Sequence, residues 1–257
     1  MRNAAANGAW HALVETASAP YRARGRFAWH FARGKLHRDP VFRHLLARGL
    51  IAPRTRVLDV GCGQGLLASL VRAAGIAARQ GCWPSGWAEA PLDAHVRGIE
   101  VLARDVERAR GALGEDADVV CADMRTAAFA NVDTVVILDV LHYVSVAEQD
   151  AVLARVRGAL QGGGTLVLRI GDAAARRGFA ASGWLDRIVT FARGQRVGPH
   201  AGRTLAAWTA RLEELGFRVA SEPMRSGTPF PNVLVVGTVA ADVPMPMPLG
   251  CHAAAHA

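Results

Sequence analysis

Residues Arg56–Val71 read RVLDVGCGQGLLASLV, and this stretch decides the fold. Val57, Leu58 and Val60 form a short apolar run around Asp59; Gly61, Gly63 and Gly65 then alternate, and an apolar helical pattern begins at Leu66. That order predicts a buried strand, a tight turn and a helix start. Glycines suit such a turn because they accept positive φ and let a ligand approach the backbone, while the free N–H groups opening the helix point at whatever binds there. Two features narrow the ligand. A dinucleotide-binding turn spaces its glycines G-x-G-x-x-G, which would put the third at position 66, where Leu66 stands. The Asp59 carboxylate, two residues before Gly61, would oppose a pyrophosphate about 4 Å away by roughly 4 kcal/mol per charge pair at an effective dielectric of about 20. It would welcome a cation instead.

D-x-G-x-G-x-G after a strand resembles motif I of the class I S-adenosylmethionine-dependent methyltransferases, whose cofactor carries an ammonium and a sulfonium. The resemblance implies S-adenosyl-L-methionine held by Asp59, Gly61, Cys62, Gly63 and Gly65. A glycine-rich turn in some other α/β protein is the competing reading of this motif alone. The family fold is α/β and Rossmann-like: a seven-stranded, mostly parallel sheet with a closing antiparallel strand, helices on both faces and an N-terminal helical cap.

With 257 residues, 51% of them hydrophobic, the chain suits one large α/β domain or a domain with a cap. Its net charge is +8, yet Lys35 is the one lysine among 30 basic residues, so the arginine excess reads as coding bias as much as a binding surface. From Arg22 to Arg48 eight basic residues face one acid, Asp39, which suits an anionic substrate, a nucleic-acid strand or simply a solvated helix face. Cys62, Cys82, Cys121 and Cys251 show no C-x-x-C spacing, which points to a reduced cytosol. No signal-peptide core is visible, and the longest apolar run, Val135–Val146, is broken by Asp139 and His142; neither secretion nor a membrane span is expected.

Around the glycine turn the chain divides into a helical cap over 1–50, a cofactor-binding domain over 51–240 with insertions at 76–95 and 171–202, and a disordered tail over 241–257. Tyr21, Phe27 and Trp29 are lid candidates by resemblance. The motif helix is expected over Leu66–Ala74. Gly61 to Glu100 spans 39 residues where roughly 20 is usual, so 76–95 reads as an insertion whose Trp83 and Trp87 either line the site's rim or pack on the domain edge. Val96–Glu100 reads as the second strand, and its terminal carboxylate can accept both hydroxyls of a ribose. Asp118–Cys121 reads as the third, followed by Asp123 and Met124; the family's acid at this place accepts from the adenine amino group while the next residue packs on the ring.

Val132–Val140 reads as a fourth strand buried on both faces. The run Leu138-Asp139-Val140-Leu141-His142-Tyr143 beyond it resembles motif IV of small-molecule methyltransferases, passing between cofactor and acceptor, and departs from the (D/N)-P-P-(Y/F) motif of nucleic-acid and protein amino-group methyltransferases. The resemblance makes Asp139 a cofactor contact. His142 is the candidate general base, because a neutral imidazole near pH 7 can take a proton at a strand end where ligands bind; a histidine that only packs there is the plain alternative. Tyr143 is a candidate for orienting the acceptor. Ser145–Glu148 is a capping box, Gly162–Gly164 are expected to stop its helix, and Thr165–Ile170 to form the fifth strand. The insertion 171–202 offers Trp184 as an acceptor contact, with Asp186, Phe191, Arg193 and His200 nearby. Thr204–Leu215 reads as the last helix, with Phe217–Met224 and Asn232–Val239 as a closing strand pair. No metal constellation is expected.

The functions in play are methyl transfer to a small molecule, possible in a pigment or polyketide-like pathway; RNA methylation through the basic N-terminal run; and non-catalytic nucleoside binding. Oligomeric state and acceptor identity are open at this level.

Overall fold

The computed structural model describes residues 2–173, 202–224 and 232–240. Three helices come first: α1 (Arg2–Ser18), then after a 3-10 turn (Ala19–Arg24) α2 (Arg26–Arg38) and α3 (Pro40–Ala47). The sheet follows as β1 (Arg56–Val60), α4 (Leu66–Arg79), β2 (His95–Glu100), α5 (Ala103–Leu113), β3 (Val119–Cys121), β4 (Val132–Leu138), α6 (Val146–Ala159), β5 (Leu160–Gly171), α7 (Leu205–Glu214), β6 (Phe217–Pro223) and β7 (Asn232–Val239). The strand order is β3-β2-β1-β4-β5-β7-β6, with β7 antiparallel to both neighbours and the other pairs parallel. This is the expected seven-stranded Rossmann-like sheet with its antiparallel closing strand.

Alternate strand residues feed two cores, as a period of two requires. Val57, Val136 and Val167 join one core with α4 and the three cap helices, while Leu58, Val135, Ile137, Leu166 and Leu168 join the other with α6 and α7. The cap is therefore part of a core: Trp10, Leu13, Val14, Tyr21, Leu36 and Leu45 are buried in it with Leu67 and Leu70 of α4. The order reverses between β1 and β4, so a crevice opens where their carboxyl ends diverge, the usual ligand site of an open α/β sheet.

Several boundaries differ from the sequence reading. Helix α4 runs on to Arg79, so Ile76–Arg79 are helical and only the stretch after them is loop; the alanines around Gly75 carry the helix through. That loop lies at the amino ends of the strands. Arg54 N donates to Leu92 O and Ala88 N to Ala47 O, while Trp87 packs between Trp10 and Trp83 at ring distances of 6.2 and 5.4 Å. Its tryptophans thus pack on the base of the cap, far from the β-strand ends that bear the glycine turn. Gly162–Gly164 do not stop α6, which ends at Ala159; they lie inside β5, in a register shift where Leu160 pairs with Val132 and Thr165 with Thr134. Strand β4 ends at Leu138, two residues early, because Asp139 turns to φ +58°. Among the described residues no helix is long and apolar enough to cross a membrane.

Candidate functional site

The glycine turn sits at the carboxyl end of β1. Gly61 N and Cys62 N donate to Ile99 O at 2.8 and 3.1 Å, tying the turn to β2. Gly61 has φ +76°, and a Cβ there would come within 2.5 Å of the Val140 side chain. Gly63 has φ +55° and would meet nothing within 4 Å, so the turn presents bare backbone to open space at this residue. Cys62 is buried with its side chain against Gly98, and burial pushes its thiol pKa up, so it serves as packing in the turn.

Two carboxylates flank that space. Glu100 ends β2, 8% exposed, with Oε2 accepting from Gly63 N and Oε1 from Leu102 N, both at 2.9 Å. These N–H groups fix its orientation and leave each oxygen a further lone pair, which suits a vicinal diol. Asp59 is 5% exposed, and burial, reinforced by the charge of Glu100, pushes its carboxyl up to about 7. A carboxyl so placed gains from a cationic group beside it. The open backbone at Gly63, the oriented Glu100 and the cation-seeking Asp59 together fit the nucleoside and amino-acid ends of S-adenosylmethionine.

Asp123 follows β3, where a hydrogen bond from the Arg125 side chain and its backbone N–H hold the carboxyl below its usual range; Arg125 also reaches Glu148. An adenine amino group would share that carboxylate with Arg125. Met124 packs half-buried against the second core, and its carbonyl accepts from Arg155.

At the β4 end the structure adds a partner that the sequence did not show. Asp139 is engaged by Arg169 of β5, whose Nε donates to Oδ1 at 2.8 Å and whose Nη2 meets Oδ2. The Arg169 side chain is 1% exposed and also clamps Asp39, the N-cap of α3, while Lys35 lies 2.8 Å from Asp39 and 3.9 Å from Asp139. Burial works to raise the Asp39 pKa, but the hydrogen bonds and charges of Arg169 and Lys35 outweigh it and leave the carboxyl at about 2. The Asp139 carboxylate is thus joined to the cap through Arg169 and Lys35. Beyond it, Val140 packs on Gly61, and a 3-10 turn (Leu141–Tyr143) carries His142 and Tyr143, half-buried with rings 4.1 Å apart.

The cap reaches the glycine turn through buried polar contacts. Tyr21 Oη donates to Gln64 O at 2.7 Å, Gln64 Nε2 to Ala28 O at 3.1 Å, and Ser69 Oγ to Ala17 O at 2.7 Å. Of the three lid candidates, Tyr21 is wholly buried in this link, Trp29 is half-buried, and Phe27 is 68% exposed, under the guanidinium of Arg108. Trp184, Asp186, Phe191, Arg193 and His200, and the tail over 241–257, lie outside the described residues. Asp118 and Asp133, at the starts of their strands, bind His95 and Arg56 N. Among the described residues no group of three or more His, Cys, Asp or Glu is placed to hold a metal ion. Sequence reasoning missed Arg169, Asp39, Lys35 and Gln64. A buried arginine inside an apolar strand, TLVLRI, was the available signal for the first.

Comparison with known proteins agrees with this fold. Residues 57–164 match the family model described as a methyltransferase domain. No curated protein matches the chain in sequence. Among solved structures, an O-methyltransferase family protein from Burkholderia thailandensis is 18% identical with a TM-score of 0.60, over 86% of this chain and 61% of that one. The chain thus spans about three fifths of that protein's length. Magnesium protoporphyrin IX methyltransferase from Synechocystis PCC 6803, with bound S-adenosylhomocysteine, is 18% identical with a TM-score of 0.53, over 84% of this chain and 89% of that one. The pyocyanin biosynthetic protein PhzM is 20% identical with a TM-score of 0.55, over 84% of this chain and 58% of that one. At these identities the likeness is one of fold.

Proposed function

We propose that the chain is a class I S-adenosylmethionine-dependent methyltransferase, a reading supported by the methyltransferase-domain match over residues 57–164 and by the fold, and that it methylates a small-molecule acceptor of the secondary-metabolite kind. The observation that carries the cofactor assignment is the bare backbone at Gly63 between Asp59 and Glu100. Small-molecule enzymes among the proteins of like fold, and the absence of a (D/N)-P-P-(Y/F) motif after β4, support the acceptor class. The basic N-terminal run supports a nucleic-acid substrate poorly. Arg22 lies over Trp29, Arg24 packs on Gly111, Arg33 pairs with Glu15 and Lys35 with Asp39, so four of its eight cations already have partners within the molecule. The three described cysteines are free, which fits a reducing cytosol.

S-adenosylmethionine supplies an activated methyl on a sulfonium, leaving the protein to align and to handle a proton. Glu100 would hold the ribose diol, Asp123 and Met124 the adenine, and the backbone from Gly61 to Gly65, with Asp59, the amino-acid end. Holding nucleophile and methyl in line can contribute up to roughly 7–11 kcal/mol. His142 would accept the acceptor's proton, Tyr143 would orient the acceptor, and Trp184 would wall it. Calorimetric titration with S-adenosylmethionine, S-adenosylhomocysteine and NADH tests the cofactor reading. The nucleosides should bind and NADH should not, and Glu100→Ala should weaken S-adenosylhomocysteine at least about tenfold; unchanged affinity in that variant, or a preference for NADH, would discard it.

A further inference from the structure

A groove enclosing about 320 Å³ opens on the cap, and no residue of the glycine turn or of the β4 end lines it. Its walls include Trp10 and His11 from α1, His37 and Arg38 from α2, Asp39, and Arg43 from α3. Four of these six side chains can carry positive charge. The His11 and His37 rings meet edge to face at 4.8 Å. Arg38 is exposed and has no ion pair among the described residues. The Arg43 guanidinium lies 5.7 Å from the centre of the Trp87 ring, a contact that uses its face and leaves its N–H edge available. The single carboxylate, Asp39, is spent on Arg169 and Lys35.

Cations in the last turn of α2 offset its macrodipole, and that accounts for His37 and Arg38. It does not account for His11 and Arg43, which come from two other helices to the same concave surface. Like charges brought together without a counter-ion repel, and an anion removes the repulsion while taking up the free N–H groups. The groove is also of the size that holds small ligands, and the buried Trp10 gives it an apolar wall. We propose that this groove is a second binding site, for a small anion bearing phosphate or carboxylate groups, held by Arg38, Arg43 and the His11–His37 pair. Because Asp39 lines the groove and also clamps Arg169, an occupant touches the ion network that ends at Asp139 through one shared side chain. Binding there does not depend on the methyl-transfer reading.

The test is calorimetric titration of the full chain with sodium pyrophosphate and with citrate at low ionic strength. One-to-one saturable binding with a Kd below about 1 mM is expected, weakened at least about tenfold by Arg38→Gln and by Arg43→Gln, with S-adenosylhomocysteine affinity unchanged. Tighter pyrophosphate assigns phosphate chemistry and tighter citrate assigns carboxylate chemistry; either supports the site. The ring C–H resonances of His11 and His37 should move during the titration. No saturable binding, or binding undiminished in the double variant, overturns the proposal, as does displacement of the anion by S-adenosylhomocysteine. Wild-type circular dichroism and melting of the variants show that they are folded.

Discussion

At the β1–β2 edge, Asp59 and Glu100 are buried carboxylates close enough for their charges to oppose, Glu100 held by two backbone N–H groups, with no ion pair to either among the described residues. At the β4–β5 edge, Asp39 and Asp139 share Arg169 and Lys35. The first edge stores electrostatic cost in the empty protein, which a cationic ligand can relieve. The second is already compensated and gains nothing from a charged ligand, so its charges serve to join cap to sheet. A charge left uncompensated marks where a ligand goes, and a compensated one marks where the fold is fastened.

The largest effect should come from breaking the fastened edge. Arg169→Ala leaves two carboxylates without their guanidinium, and a loss of about 3–5 kcal/mol is expected in urea unfolding. A loss under about 1 kcal/mol would mean that solvent, not Arg169, compensates them. The opposite edge should respond to pH. The Asp59 carboxyl titrates near 7 in the folded protein and near 3.8 when unfolded. Between those values the folded state keeps a proton that the unfolded chain has lost, so this group costs stability as pH rises from about 4 to about 7, by up to about 4 kcal/mol. S-adenosylmethionine affinity should rise over the same window and level off above it, because the cation favours the ionised form. Asp59→Asn should flatten both slopes, and a wild-type affinity independent of pH from 5 to 7.5 would remove Asp59 from the site.

His142→Ala sharpens the division of labour between the edges. Turnover should fall at least about a hundredfold on any acceptor with a proton of high pKa, while S-adenosylhomocysteine binds nearly as before. Equal turnover would leave His142 as a wall residue. The smallest effect belongs to the link between cap and turn. Tyr21→Phe removes the donor to Gln64 O and should cost about 1 kcal/mol in thermal or urea unfolding; a larger loss of cofactor affinity than of stability would give Tyr21 a role in binding.

The cofactor edge was the legible one because its parts are local. Asp59 and three glycines lie within seven residues, and Glu100 and Asp123 follow at the ends of the next strands, so order along the chain reproduces order in space. The β4–β5 edge was not legible, since Asp39 and Arg169 stand 130 residues apart and neither carries a local pattern. The pairing of Asp139 with Arg169 has no local signal either, because thirty residues separate the two in the chain. Gly162–Gly164 read as a stop for another reason: glycine marks a break only where packing does not hold the element, and β5 is held by pairing on both sides of them.

By itself the sequence determined the strand-turn-helix, the acid two residues before its first glycine, and the continuous apolar runs that mark strands covered on both faces. These follow from backbone geometry and periodicity, which act over a few residues. Only the tertiary structure decided which carboxylates remain without a cation, that Asp139 pairs with Arg169, and that half of the basic run at the N-terminus has partners within the molecule. Charge compensation depends on distance through space and on burial, and a linear string records neither.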